Sequence, residues 1–375
     1  MKNTSRVLLT VFVCWFSSLS ANSTSDTVKG AVPPYPPSRV ITDIEWAPVD
    51  TIVRRAQGSD NWPLTWADDN HLYTAYGDGW GFTPRTEKKL SLGLARIAGD
   101  PPDFKASNIR SSSAEQIGQG AHGKKASGML MVEGTLYMWV RNAENSQLAW
   151  SEDHGKTWIW SDWRFTTSLG APTFLNFGKN YADPRDGYVY VYSHDSDTAY
   201  DRADRMVLAR VPVSKLRERT AYKFFQELRS GRPLWTLDIE RRGSVFSHPG
   251  MCYRNGITYN AGLKTYLWCQ IHPDSKHAQG PRFQGGFGVY EAPEPWGPWR
   301  TVYFTRNWDV GPGETSSFPS KWISPDGKTA YLVFSGDDYF SVRKVTFILK
   351  GIKDLARNKF PILGSKCMVD LAGSD

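Results

Sequence analysis

Five times along this chain of 375 residues, two short runs rich in aromatic and β-branched residues flank a turn. The plainest case is SDNWPLTWADDNHLYTAYGDGWGF, residues 59–82. A strand at 62–66 and a strand at 71–76 are joined there by Ala67-Asp68-Asp69-Asn70, the chemistry of an antiparallel hairpin. Asp60 precedes the first strand and Asp78 follows the second. A hairpin brings those two ends to one edge, so two carboxylates are delivered to one rim. The other pairs are 127–132 with 136–141 across Glu133-Gly134, and 171–177 with 188–193. Then come 248–259 with 265–272 across Asn260-Ala261-Gly262, and 318–323 with 329–335 across Pro325-Asp326-Gly327.

A third strand follows each pair, at 90–97, 147–150, 206–212, 286–291 and 341–349. Fourth strands are expected at 104–109, 156–160, 234–237 and 300–304. The fifth repeat has none of its own, and the lone strand at 40–46 can supply it by joining the two ends of the chain. Repeats of about four strands predict an all-β fold, a five-bladed β-propeller over 39–350 whose ring is closed by an N-terminal strand. Another all-β barrel or a sandwich is the competing arrangement. Helix is expected only at 215–227 and in the tail, at 350–357.

Residues 1–21 have the pattern of an export signal. Lys2 and Arg6 precede the apolar run 7–16, and small residues follow at Ser18, Ser20, Ala21 and Ser23. That run is short for a membrane span. The expectation is a periplasmic or secreted protein with no stable membrane insertion after cleavage. A Pro-rich linker follows over 22–38, and 351–375 is a C-terminal tail. Without Lys2 and Arg6 the formal charge falls from +7 to +5, with basic residues scattered rather than striped, which argues against nucleic acid. Three cysteines remain after cleavage, Cys252, Cys269 and Cys367. Cys252 and Cys269 fall on neighbouring predicted strands and can bridge, a pairing that sequence does not decide. No CxxC or HExxH spacing is present. The acids at 195–204 lack the glycine and closing glutamate of an EF-hand. Neither a metal nor a cofactor is expected, and the chain is expected to be a monomer.

Aromatic residues make up 14% of the chain, including 16 Trp and 17 Tyr. Most belong in an all-β core. A few at a rim would suit sugars, whose C–H faces pack on rings. Polysaccharide or oligosaccharide is therefore the expected partner.

In a propeller, inner strands run the same way, so their entrances and the exits of the second strands meet at one mouth. The entrances carry Asp60, Asn61, Lys125, Ser127, Thr173, Ser247, His248, Glu314 and Ser316. The exits carry Asp78, Arg141, Asn142, His194, Asp195, His272 and Asp337. Glycoside hydrolysis needs two carboxyl groups across the scissile bond. Asp60 is the candidate ionised partner, with Asn61 orienting it. Glu314 is the candidate acid, in Gly311-Pro312-Gly313-Glu314-Thr315, with Asp78 the next choice. Trp62 or Trp80 would supply an apolar wall that raises an acid's pKa, and His248 and His272 would bind sugar hydroxyls. Plainer roles stand beside these: Asp60 as a strand-entry cap, Glu314 as a solvated loop acid, and Asp68, Asp69 and Asp326 as turn residues.

The run Ser151-Glu152-Asp153-His154-Gly155-Lys156-Thr157-Trp158 resembles the Asp-box, SxDxGxTW, of sialidases and other propellers. That resemblance implies that Asp153 braces a turn between outer strands, with Trp158 packed between sheets, away from the mouth.

Asp60-Asn61-Trp62-Pro63, Trp66-Ala67-Asp68-Asp69 and Gly77-Asp78-Gly79 resemble motifs of a bacterial family labelled domain of unknown function 4185. So do the runs 291–299 (EAPEPWGPW) and 321–327 (KWISPDG). The similarity extends over 43–349. It implies a five-bladed propeller and, by analogy with some members, a glycoside hydrolase cleaving D-arabinan, with Asp60 and Asp78 in the matching first-blade motif. Glu314 comes from topology alone. The alternative is a non-catalytic, lectin-like carbohydrate-binding propeller. A sialidase would need several arginines around a substrate carboxylate, and only Arg141 falls on the rim. A scaffold for protein partners is a further reading, since fold alone does not fix function.

Overall fold

In the computed structural model, residues 32–182 and 184–351 are described. The export signal, residues 22–31 of the linker, and the tail beyond 351 with its expected helix lie outside the described residues, as does Cys367.

The described residues form strands and short 3-10 turns, with no α-helix. Strands group into five antiparallel units. The first is Leu64–Trp66, Leu72–Tyr76, Gly93–Ala98 and Lys105–Ile109. The second is Lys125–Val132, Thr135–Arg141, Ser146–Ser151 and Ile159–Phe165. The third is Thr173–Asn176, Tyr188–His194, Ala203–Pro212 and Lys223–Arg229, with Arg232–Thr236 added outside. The fourth is Asn255–Asn260, Thr265–His272, Gly286–Ala292 and Arg300–Thr305. The fifth is Ser316–Ser317, Thr329–Phe334 and Phe340–Leu349. Its outer strand is Ile41–Trp46, antiparallel to the last strand, with Ile41 opposite Leu349 and Trp46 opposite Val345.

Apolar faces explain how the units meet. Because strand side chains alternate, each unit buries residues on both faces. Five hydrophobic clusters result, one at each junction. Met138 and Leu94 join the first and second units, and Trp139 and Val191 the second and third. Trp268 and Tyr192 join the third and fourth, and Val289 and Leu332 the fourth and fifth. Val333 and Leu72 join the fifth back to the first. Each unit thus shares a cluster with the next, and the fifth shares one with the first. A narrow central cavity touches every inner strand, at Leu64, Met129, Phe174, Ile257 and Ser317. The inner strands of the third and fourth units pair in parallel, Leu175 opposite Ile257, which fuses these two units into a ten-stranded sheet.

Several expectations need correction. Residues 215–227 are not helical: two 3-10 turns, Val213–Lys215 and Arg219–Ala221, lead into the strand Lys223–Arg229. Phe224 and Phe225 enter two different clusters, on opposite faces, which a strand permits and a helix does not. The run 248–259 breaks at Tyr253-Arg254. Its first part, Phe246–Cys252, pairs with the third unit, Phe246 opposite Met206. The inner strand begins only at Asn255, so Ser247 and His248 do not stand at its entrance. The fifth inner strand shrinks to Ser316–Ser317, because Pro319 leads into the 3-10 turn Ser320–Trp322. Residues 234–237 belong to an extra strand, and the second unit's outer strand starts at Ile159. Cys252 and Cys269 are free, buried thiols in different clusters.

Candidate functional site

The mouth is built from the first hairpin outward. Its strands continue past Leu64 and Tyr76 through an isolated bridge: the Asp60 amide donates to Gly77 at 3.0 Å, and the Gly77 amide to Asp60 at 2.7 Å. This brings Asp60 and Asp78 to the same edge. A Cβ on Gly77 would lie 2.8 Å from Asp60 Oδ1, so the close approach requires glycine there. Asp78 pairs with Lys125, the buried entrance residue of the second unit.

Backbone geometry around the opening is unusual. Asn61, Asp78, Asn142, Asp337 and Asp338 have φ between 43° and 60°, the left-handed region that non-glycine residues rarely occupy.

Three ion-paired groups occupy the opening. Arg282 Nη2 lies 2.9 Å from Asp60 Oδ2, while its Nε lies 3.1 Å from Asp338 Oδ1. Asp60 is buried, and its Oδ1 has no hydrogen-bond partner. Burial raises the pKa of Asp338, the Arg282 charge opposes that, and the Asp60 charge raises it further. Glu314 pairs with buried Arg254, and its backbone amide donates to Ser335 Oγ. Burial first, then the nearby Arg141 charge, lower the Arg254 pKa to about 10. Asp78 with Lys125 is the third group. Tyr200 lies between two cations, its ring centre 5.4 Å from the guanidinium carbon of Arg141 and 5.3 Å from that of Arg254. Burial alone would raise the phenol's pKa. Arg141, the Asn142 amide, Arg254 and Lys125 together bring it below its ordinary value.

The other sequence candidates divide sharply. Asn142 Nδ2 donates to Gly123 at 2.8 Å and to the Tyr200 hydroxyl at 3.2 Å, so it stays at the opening. Trp80 is half-buried, with Arg85 and Lys89 above its ring. Asp337 pairs with Arg54 at 3.3 Å beside Asp338. Asn61 donates to the Ala126 carbonyl and ties two units together. Trp62 is 1% exposed, a core ring against Phe82 and Phe340, not an open wall. Ser127 spends its hydroxyl on the Pro172 carbonyl at 2.7 Å. Asp195 is saturated by Arg205, Arg242 and Ser168, whose bonds outweigh burial and hold its carboxyl below the ordinary range. His194 donates to the Thr198 carbonyl at 2.7 Å, and burial lowers its pKa to about 4. His248 and His272 have ring centres 5.5 Å apart, and burial drives His272 to about 3. These last five residues are walls and braces of the fold rather than open sugar contacts.

Arg254, Arg282, Asp338 and Tyr200 were not among the sequence candidates. Arg254 was hidden by the misplaced start of the fourth inner strand. Asp338 is one residue beyond the exit position chosen. Arg282 and Tyr200 sit in connections that no strand count locates.

At the outer turn of the second unit, Asp153 accepts from the Lys156 amide at 3.0 Å, the Thr157 amide at 2.8 Å and the Ser151 and Thr157 hydroxyls. Trp158 is buried beneath it. Nearby, Asp68, Asp69 and His154 present ligand atoms within 4.8 Å of one another. Their atoms are taken up by local bonds, His154 to Asp68 at 2.8 Å and Tyr73 to Asp69 at 2.8 Å. Asp68, Asp69 and Asp326 also accept from nearby backbone amides, as turn residues do.

No family model and no curated protein sequence matches this chain. Among solved structures, the RS223 β-xylosidase overlaps 82% of this chain and 98% of its own, with 12% identity and a TM-score of 0.45. A GH43_1 enzyme from Xanthomonas citri overlaps 82% of this chain and 92% of its own, with 12% identity and a TM-score of 0.44. A Hadza microbial sialidase overlaps 78% of this chain and 53% of its own, with 12% identity and a TM-score of 0.40. Similarity at this level carries no argument about what the chain does.

Proposed function

We propose that this chain is an exported glycoside hydrolase that cuts a glycan at the mouth of a five-bladed β-propeller. The observation that carries the reading is one guanidinium, Arg282, that bridges two carboxyl groups at the mouth, Asp60 and Asp338. Asp338 is pushed towards its protonated form by burial and by Asp60. Asp60 keeps one oxygen free of partners. Two carboxyl groups at one mouth are what glycoside cleavage uses: one protonates the leaving oxygen, the other attacks carbon or activates water. Asp338 replaces Glu314 as the proposed proton donor, because burial and the Asp60 charge raise its pKa. Asp78, committed to Lys125, positions the second unit against the first.

D-arabinan is the first substrate to try, on the similarity of the 60–63 and 77–79 motifs to the 4185 family. Action outside the cytoplasm rests on the pattern of residues 1–21. The test is release of reducing sugar from a panel of polysaccharides that includes D-arabinan. Release is expected from the wild type and not from Asp60→Asn or Asp338→Asn. Undiminished release by both variants would reject the pair. Tight retention on a glycan without release would favour the lectin-like reading.

A further inference from the structure

The charges at the opening do not all have partners. Lys125 pairs with Asp78, Arg254 with Glu314, and Arg282 with both Asp60 and Asp338. Arg141 stands at the exit of the second unit's second strand, opposite Lys125 in register. It is 1% exposed, forms no ion pair among the described residues, and its Nε and Nη1 have no acceptor. A buried guanidinium without a counter-charge is costly to the fold, far more so than one with a carboxylate. The nearby cations Arg254 and Lys125 are taken up by Glu314 and Asp78, and with the Asn142 amide they gather about the phenol of Tyr200. Tyr200 is 38% exposed, so the cluster opens to solvent on that side. The same cluster eases ionisation of the phenol, which marks the position as one where negative charge is stabilised.

We infer that Arg141, Arg254 and Tyr200 form an anion subsite at the mouth, which receives the carboxylate of an acidic sugar such as a uronic acid. The inference rests on the glycoside hydrolase reading for its sugar and narrows that reading to acidic glycans. Arg141 offers a planar fork suited to a carboxylate, Arg254 shares its charge between Glu314 and the ligand, and the Tyr200 hydroxyl donates from the open side. A neutral arabinan would leave Arg141 without a counter-charge.

The test is calorimetric titration of the protein with tri-galacturonate, with arabinotriose and with inorganic sulfate. Tri-galacturonate is expected to bind in preference to both others. Arg141→Met is expected to weaken it about 10- to 100-fold, the loss of one strong charge-assisted contact. Arg141→Lys is expected to recover part of the binding. Folding is checked by melting: Arg141→Met should melt at or above the wild-type temperature, since it removes an unpaired buried charge. Arabinotriose bound as tightly as tri-galacturonate, tri-galacturonate binding unchanged in Arg141→Met, or sulfate bound as tightly as the uronide would each overturn the subsite. Failure of the hydrolase reading looks different: tri-galacturonate held through Arg141, with no glycan of the panel cut.

Discussion

Asp153 and Asp60 are both aspartates at the ends of strands, and they are held in opposite ways. Asp153 takes its partners from Ser151, Lys156 and Thr157, all within four residues. Asp60 takes Arg282, 222 positions away, and leaves one oxygen without a partner. The first arrangement is complete within one turn and has no capacity to spare. The second exists only when distant units have assembled, and it leaves a buried acceptor without a partner. Saturated local bonding is how a structural acid looks, and incomplete long-range bonding is how a working one looks.

The widest break in that comparison is Asp60→Asn. It is expected to lower glycan cleavage about 10³-fold with little change in melting temperature, in line with loss of a charged catalytic group. A parallel fall in melting temperature would class Asp60 with Asp153 as a brace. Asp338→Asn is expected to cost about 10²-fold in rate and to remove the alkaline limb of the pH–rate profile. That limb should exist because a proton donor fails as pH rises through its raised pKa. Retention of the limb in the variant would assign it to another group.

Asp153→Ala is expected to leave cleavage intact and to cost about 1–2 kcal/mol of stability, read from denaturant midpoints, for hydrogen bonds made by a partly exposed carboxylate. A loss of cleavage without a loss of stability would undo its structural role.

The smallest effect concerns the sign of pH dependence. The bonds of Asp153 outweigh its burial and bring its pKa to about 2, below the unfolded value of 3.8. Its contribution to stability is therefore present above 3.8 and lost as pH falls towards 2. Asp338 is raised from the same reference. Its contribution is fully present below the unfolded value and lost as pH rises through the folded one. The stability deficit of Asp153→Ala should thus vanish in acid, whereas Asp338→Asn should gain on the wild type towards neutral pH. Matching slopes in the two variants would refute the contrast.

Legibility in the chain divides along the same line. The Asp68-Asp69-Asn70 and Glu133-Gly134 turns, the hairpins they join and the bracing role of Asp153 depend on neighbours in sequence, and local chemistry announces them. The pairing of the strand at 40–46 with the end of the chain was legible too, because the fifth repeat lacks an outer strand. Lys223–Arg229 was not, since the burial of adjacent Phe224 and Phe225 is imposed by clusters on two sides. The break at Tyr253-Arg254 was hidden because 246–252 is as strand-like as 255–260, and Met206 decides its pairing. At the mouth, Asp60 and Asp78 were legible as hairpin ends. Arg282, Arg254 and Asp338 were not, because ion pairs between distant units have no spacing in the sequence.

The antiparallel match of Ile41–Trp46 with the residues up to Leu349 also sets an order of events. A chain made from its amino end produces this edge strand first and must keep it unpaired until synthesis has passed residue 349. Asp338 and Arg282 reach Asp60 only over the same interval, so this ion-paired cluster cannot assemble on a nascent fragment. If the mouth cuts glycans as proposed, a chain wired in this way stays inert until the strand Phe340–Leu349 is made.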